Sequence, residues 1–301
     1  MADVIKPVKL GNTRVTGKEQ YYTPPQVARD ILKVVVDLVE DFEQKVFLEP
    51  AGGTGTFINE ALQSGFTKVL SFDIEPHHPL VSKGNFLEKK IPHNNCVTVS
   101  NPPFGRNNAL SIPFFNKAAE FSDLIVFIVP RSWRKWTVQN RLDRRFTLVR
   151  DDDLNIDYVD VSGEPLSQKN YLRTCVQYWK KSEVLRDLVY VKDMGIIEKC
   201  KFPEADVSIT LFGYGCGTVR SEFPKKPNTT QMFLKLKHPR ALEALKSVDF
   251  SRFFMNTAYT EALSIREINF LLNEYLFNNP MVVSDKMLLN MSFEIEDEFE
   301  A

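Results

Sequence analysis

Helical and strand periods alternate along the first ~180 residues, the pattern of an α/β layer fold with a largely parallel sheet. Thr23-Pro24-Pro25-Gln26 offers an N-cap, first-turn prolines and a Gln at the capping-box position. Val27, Ile31, Val34, Val35 and Leu38 follow at helical spacing, which predicts a helix over 24–40. The short apolar runs Val46-Phe47-Leu48, Val69-Leu70-Ser71-Phe72, Val97-Thr98-Val99 and Leu124 to Val129 each stop at a turn signal, as buried parallel strands do. Ile156 to Val161 and Thr174 to Trp179 are expected to finish the sheet in antiparallel fashion. Beyond Lys181 the alternation gives way to strand-like runs (Val207 to Phe212, Met232 to Leu236) among Gly- and Pro-marked loops. The clearest later helix begins at Ser264, where Ser264-x-x-Glu267 forms a capping box and Ile265, Ile268, Leu272, Tyr275 and Leu276 share a face. The expected organisation is a flexible arm over 1–18, an α/β domain over 19–182, and a smaller α+β domain over 183–301 that closes in an acidic tail.

A chain of 301 residues has room for one large or two modest domains, and 43% hydrophobic with 26% charged residues is ordinary for a globular protein. The 38 basic and 39 acidic residues leave a net charge of −1, so any attraction for nucleic acid must come from a local patch. Cys96, Cys175, Cys200 and Cys216 show no C-x-x-C spacing and suit reduced, buried thiols. His77-His78 read as a polar loop, with no further His or Cys at metal spacing, and no metal is expected. No apolar run approaches the roughly 18 residues of a membrane span, and residues 1–18 carry basic side chains without a signal-like apolar core. A cytoplasmic or nuclear protein is expected.

Between a predicted strand and a predicted helix lies Glu49-Pro50-Ala51-Gly52-Gly53-Thr54-Gly55-Thr56-Phe57. A Gly-rich turn there lets backbone approach a ligand, and the new helix offers free N–H groups. Ile58 stands where a dinucleotide fingerprint needs its third glycine, which disfavours NAD. One strand later Phe72-Asp73-Ile74-Glu75 ends in acid, where a carboxylate can accept from both hydroxyls of a ribose. The pair of features implies a nucleoside cofactor; taken singly, each also reads as a tight turn and a solvated strand end.

The fourth predicted strand runs into Ser100-Asn101-Pro102-Pro103-Phe104-Gly105. Two prolines fix φ and remove two donors, so the Asn101 amide and the Pro102 carbonyl form a rigid corner that presents acceptors. An exocyclic amino group is the complementary substrate, and the Phe104 ring offers a face to a base.

With Gln20-Tyr21-Tyr22-Thr23-Pro24-Pro25 in front, these motifs resemble, over 19–181, the S-adenosylmethionine-dependent amino-methyltransferases, in particular the N6-adenine DNA methyltransferases of gamma motif order. The resemblance implies a Rossmann-like class I methyltransferase sheet. It implies that Tyr22, Thr23 and Pro24 close over the methionine part of the cofactor, with Glu49, Pro50, Ala51, Gly53, Gly55 and Phe57 forming the loop beneath. It further implies Asp73 as ribose ligand, Ile74 against the cofactor adenine, Asn101 and Pro102 on the target amino group with Pro103 stiffening the corner, and Phe104 stacked on the target base. One departure stands out. Family members usually carry Asp in the segment matching Gly84-Asn85-Phe86-Leu87, so Asn85 is either an acceptor without charge assistance or an ordinary loop residue.

Arg131 to Arg150 holds seven basic residues and one acid, Asp143. If 131–145 is helical, Arg131, Arg134, Arg141 and Arg145 fall within roughly an 80° arc opposite Trp133 and Trp136. These, with Lys135, are the expected phosphate contacts; the plainer alternative is a solvated face neutralised by Asp151, Asp152 and Asp153. Lys225-Lys226, Lys235, Lys237, Arg240 and the turn Gly213-Tyr214-Gly215-Cys216-Gly217 could read bases, or be surface on a packing domain. The leading expectation is methylation of adenine N6 in DNA with base flipping. The alternatives are RNA adenosine N6 methylation, protein-glutamine methylation, and a catalytically silent nucleic-acid-binding partner, the last disfavoured by intact Asn101 and Phe104.

Overall fold

Proline disfavours helical geometry in the residue before it, and this sets the first boundary of the chain. Helix α1 spans Pro25–Leu38, and Pro24, extended at φ −60° and ψ 145°, is its N-cap without a side-chain bond. The expected Thr23 cap is therefore not made; Val27 N and Ala28 N donate instead to the Pro24 carbonyl. Ala28, Ile31, Leu32 and Val35 form the buried face. The computed structural model describes residues 21–166, 172–223 and 230–284. The expected arm over 1–18, Lys225-Lys226 and the acidic tail lie outside the described residues.

Strands β1 (Val46–Glu49), β2 (Lys68–Asp73), β3 (Ser82–Lys83), β4 (Cys96–Ser100), β5 (Ser122–Pro130), β6 (Phe146–Leu154) and β7 (Thr174–Lys181) form one sheet in the order β3-β2-β1-β4-β5-β7-β6. The first five strands in that order pair in parallel, whereas β7 is antiparallel to both β5 and β6. This is a mixed α/β fold with a large, mostly parallel sheet. β1 and β4 are buried at every residue, as central strands covered on both faces must be. Helix α2 (Thr56–Gln63) follows β1, and α3 (Ser111–Ala118) precedes β5. Side chains of α1 and α2 pack with Phe47, Val97, Val99, Leu124, Val126 and Ile128 into the main core. Strand order reverses between β1 and β4, so a crevice opens where their carboxyl ends diverge.

Two local expectations are corrected. The antiparallel partner of β7 is β6, and Ile156 to Val161 joins no strand of the sheet; Val159 makes only isolated bridges to Tyr22 and Pro165. Arg150-Asp151-Asp152-Asp153 hides β6 from a propensity reading, because charge is tolerated on an edge strand that is only half covered. The second correction concerns 131–145, which is not one helix. It comprises a 3₁₀ turn, Arg131–Arg134, the single-turn helix α4 (Trp136–Gln139) and then a turn leading into β6. Lys135 is extended, and Asn140 exchanges two hydrogen bonds with the Val189 backbone, Nδ2 to O at 2.8 Å and N to Oδ1 at 3.0 Å. These bonds and the burial of Trp133 outweigh helical propensity here, and they break the expected basic face.

The molecule divides into two compact units, one running to Pro130 and resuming over Arg141–Arg186, the other comprising Arg131–Asn140 and the residues from Asp187 onward. In the second unit β8 (Val189–Val191) pairs with β13 (Val282–Ser284). Strands β9 (Ile197–Lys199), β10 (Val207–Thr210), β11 (Val219–Arg220) and β12 (Gln231–Leu236) make an antiparallel sheet in the order β11-β10-β12-β9. Helices α5 (Ala241–Ser247), α6 (Ser251–Phe254) and α7 (Ile265–Phe277) complete it. The capping box at Ser264 forms as the spacing predicts.

Glu267 of that box is 3% exposed at its side chain and is met by Lys135 Nζ at 3.0 Å. Lys135, expected as a phosphate contact, is here ion-paired to a buried carboxylate. Lys135→Ala strands that charge and is expected to lower stability by about 3 kcal/mol, the low end for a buried pair because the Lys135 side chain is 19% exposed. Denaturant unfolding measures this, and Glu267→Gln in the same chain should restore part of the loss. An unchanged midpoint would show the pair to be dispensable. Among the described residues no helix is long and apolar enough to cross a membrane.

Candidate active site

After β1 the chain turns sharply through Gly52 and Gly53 into α2. Gly52 N donates to the Phe72 carbonyl at 3.0 Å, tying the turn to β2. A Cβ at Gly52 would lie 2.1 Å from Ser71 Oγ, and one at Gly53, where φ is +47°, would lie 2.6 Å from Tyr22 Cε1. Only glycine permits that approach. Asp73, closing β2, accepts from Gly53 N at 2.9 Å through Oδ2 and from Glu75 N at 2.8 Å through Oδ1. An ionised carboxylate has about four acceptor sites, so lone pairs remain for hydroxyl donors on the open side. Ile74 beside it is 59% exposed, an apolar side chain without cover. Burial, then the charges of Asp73 and Glu75, push the Tyr22 phenol above its ordinary range.

At the end of β4, Asn101 Nδ2 donates to the Tyr21 carbonyl at 2.8 Å. With the NH2 end committed, the amide orientation is fixed and Oδ1 is left as an acceptor. Leu110 N donates to the Phe104 carbonyl at 3.2 Å and fastens the corner to the turn before α3.

These pieces enclose one cavity of about 350 Å³ within the first unit. Of the residues named from sequence, Tyr22, Pro50, Ala51, Gly53, Asp73, Ile74, Asn85, Phe86, Asn101, Pro102, Pro103 and Phe104 line it. Thr23, Pro24, Glu49, Gly55 and Phe57 do not. Thr23, Glu49 and Phe57 are buried, Pro24 caps α1, and Gly55 is the N-cap of α2. Burial holds the Glu49 carboxyl well above the usual carboxylate range, against a 3.4 Å bond from Ser71 Oγ. Asn85 does two things: it lines the cavity, and it caps the 3₁₀ turn Phe86–Glu88, its Oδ1 accepting from Leu87 N at 3.1 Å.

Tyr21, Glu75, Gly84 and Leu87, which stood in the quoted motifs without a role, also line the cavity, as do Leu110 and Phe114, which sequence reasoning did not name. Leu110 and Phe114 stand four residues apart at the start of α3, so helical spacing just after the proline corner was the available signal. Asp73 and Glu75 give the lining a negative character, and no Lys or Arg is among its described residues. The expected phosphate contacts fare differently. Lys135 is ion-paired as above, Arg145 is held by Asp143 at 2.7 Å, and Arg131 and Arg134 sit on the 3₁₀ turn. Arg141, across the break, gives its carbonyl to Asn116 Nδ2 at 3.0 Å. Among the described residues no group of three or more His, Cys, Asp or Glu could hold a metal ion.

No family model matches the chain. Two type II methyltransferases of Haemophilus influenzae, M.HincII and M.HindII, are each 28% identical to it over 95 residues, 31% of this chain and 18% of theirs. Over that stretch the chain is related to type II methyltransferases. It spans less than a fifth of the length of these curated relatives, at 18%. Among solved structures, a Pyrococcus horikoshii protein whose assignment as an RNA methyltransferase is itself provisional matches with TM-score 0.46 and 22% identity, over 57% of this chain and 91% of that one. The type IIG restriction endonuclease BpuSI matches with TM-score 0.42 and 14% identity, over 58% of this chain and 27% of its own.

Proposed function

We propose that this chain transfers a methyl group from S-adenosylmethionine to the N6 amino group of adenine in DNA, with the base swung out of the stack. The observation that carries the reading is the Asn101 amide, pinned by Tyr21 so that its oxygen is free in a cavity shared with Asp73 and the glycine turn. The cavity's chemistry fits the cofactor. Asp73 retains acceptor sites for ribose hydroxyls, Ile74 offers an apolar face to a purine, and two carboxylates without a lysine or arginine suit a cationic nucleoside better than a phosphorylated one. S-adenosylmethionine supplies, when bound, a methyl carbon made electrophilic by its sulfonium.

The amino group of adenine is a poor nucleophile because its lone pair is delocalised into the ring. Asn101 Oδ1 and the Pro102 carbonyl accept its two hydrogens, which draws the nitrogen out of plane and localises the pair. Pro102 and Pro103 hold these acceptors still, and Phe104 gives the ring a surface to stack on. With the cofactor bound, this corner would aim the nitrogen lone pair at the methyl carbon, and the proton the nitrogen sheds would leave to solvent past Asn101 Oδ1 and the Pro102 carbonyl. Registration of two reactants in one cavity is the main source of rate. The unit from Asp187 onward is read as the recognition module; Tyr214, fully exposed on its glycine turn, supports that reading.

Purified protein incubated with labelled S-adenosylmethionine and, separately, duplex DNA, single-stranded DNA and RNA is expected to yield N6-methyladenine in DNA. Label confined to RNA would replace the DNA reading with the RNA one, and label on protein alone would overturn both.

A further inference from the structure

Ile156 to Val161, absent from the sheet, grips the chain just before α1. Tyr22 N donates to the Val159 carbonyl at 3.2 Å and Val159 N to the Tyr22 carbonyl at 3.1 Å. Tyr158, 1% exposed, sets its ring 5.3 Å from that of Tyr21. The gripping segment is itself braced, because Leu166 N donates to the Tyr158 carbonyl at 2.8 Å and Asp160 N to the Glu164 carbonyl at 2.9 Å.

The dipeptide held in this way faces both halves of the cavity. The Tyr21 carbonyl receives Asn101 Nδ2, and the Tyr22 ring lies so close over Gly53 that a Cβ there would be 2.6 Å from it. A side-chain amide has two orientations differing by 180°, and one of them offers NH2 to a target that is also NH2. The bond to Tyr21 selects the other. We propose that Tyr158 and Val159 are positioning residues: by fixing Tyr21-Tyr22 they set the Asn101 amide and the cover over the glycine turn as one unit. Amino acceptor and cofactor loop are then registered through a single bridged pair of segments. The inference rests on the methyl-transfer reading of the cavity.

The test compares wild type, Tyr158→Ala, Tyr158→Phe and Val159→Pro, the last removing the N–H that donates to Tyr22 and fixing φ at that position. Readouts are kcat at saturating S-adenosylmethionine, KM for S-adenosylmethionine, calorimetric binding of S-adenosylhomocysteine, and thermal unfolding. Tyr158→Ala is expected to lower kcat about 10- to 100-fold, the scale of an ångström-size misplacement. It should also weaken S-adenosylhomocysteine binding several-fold, while Tyr158→Phe, which keeps the ring, recovers most of both. Val159→Pro should reproduce the Tyr158→Ala losses, and serves if Tyr158→Ala does not fold. A purely structural role would lower the unfolding temperature yet leave kcat per folded molecule and ligand affinity unchanged, and that result overturns the proposal. Wild-type transfer that is lost in Asn101→Ala but kept in both clamp variants overturns the clamp alone. A wild type that neither transfers methyl nor binds S-adenosylhomocysteine overturns the reading of the cavity and the clamp with it.

Discussion

Asn101→Ala should cut kcat for methyl transfer by about 10²–10³-fold, the usual effect of removing one fixed polar group aimed at the reacting centre. Cofactor binding should fall much less, because the Asp73 and Gly53 side of the cavity is untouched. Asn101→Asp makes the sharper comparison. It keeps an acceptor toward the substrate but places a carboxylate oxygen against the Tyr21 carbonyl, where Nδ2 now donates at 2.8 Å. Two acceptors repel, so the Asp variant should be impaired near neutrality and regain activity as pH falls and its carboxyl gains a proton to donate. Single-turnover rates measured across pH decide this. An Ala variant with wild-type kcat would remove Asn101 from the chemistry.

Gly53→Val carries the second large effect, this time on cofactor affinity. The position has φ +47°, and its Cβ would fall 2.6 Å from the Tyr22 ring. A β-branched residue there meets backbone strain of at least 1–2 kcal/mol as well as the clash. Relief requires moving Tyr22 or the turn, and moving the turn withdraws the N–H that Asp73 accepts at 2.9 Å. Binding of S-adenosylhomocysteine should weaken by roughly 100-fold or more. Adding Tyr22→Ala removes the clash but not the strain, so the double variant should recover only part. A folded Gly53→Val protein with unaltered affinity would mean that the turn does not cradle the ligand.

How much of this was legible depends on where each residue's partners lie in the chain. β1, β4 and β5 announce themselves because strands buried in a parallel sheet are continuous apolar runs that stop at turns, and β2, though only partly buried, shows the same kind of run; the site motifs sit on the stops of β1, β2 and β4. β6 does not, since Arg150-Asp151-Asp152-Asp153 on an edge strand reads as loop. Arg131–Asn140 misled for a related reason: no Gly or Pro interrupts it, yet Lys135 is extended and Asn140 is held by distant Val189, donating to its carbonyl and accepting from its N–H. Of the cofactor loop, sequence found the residues but not their depth, for the motif cannot say that Glu49 and Phe57 are under the turn while Ala51 is at its surface. The Tyr21 contact to Asn101 joins residues with no local pattern between them, and nothing short of the fold reveals it.

The grouping of Arg131–Asn140 with the later residues has a bearing on how the molecule can be dissected. Trp136 stacks at 5.9 Å on Phe270 and meets Phe253 edge-on at 5.7 Å, and Lys135 answers Glu267. Severing the polypeptide after Ser182 would leave an early fragment bearing a bare indole and an unanswered ammonium, and a late fragment with a hole and a stranded acid. Each fragment is therefore expected to be less stable alone than within the whole chain.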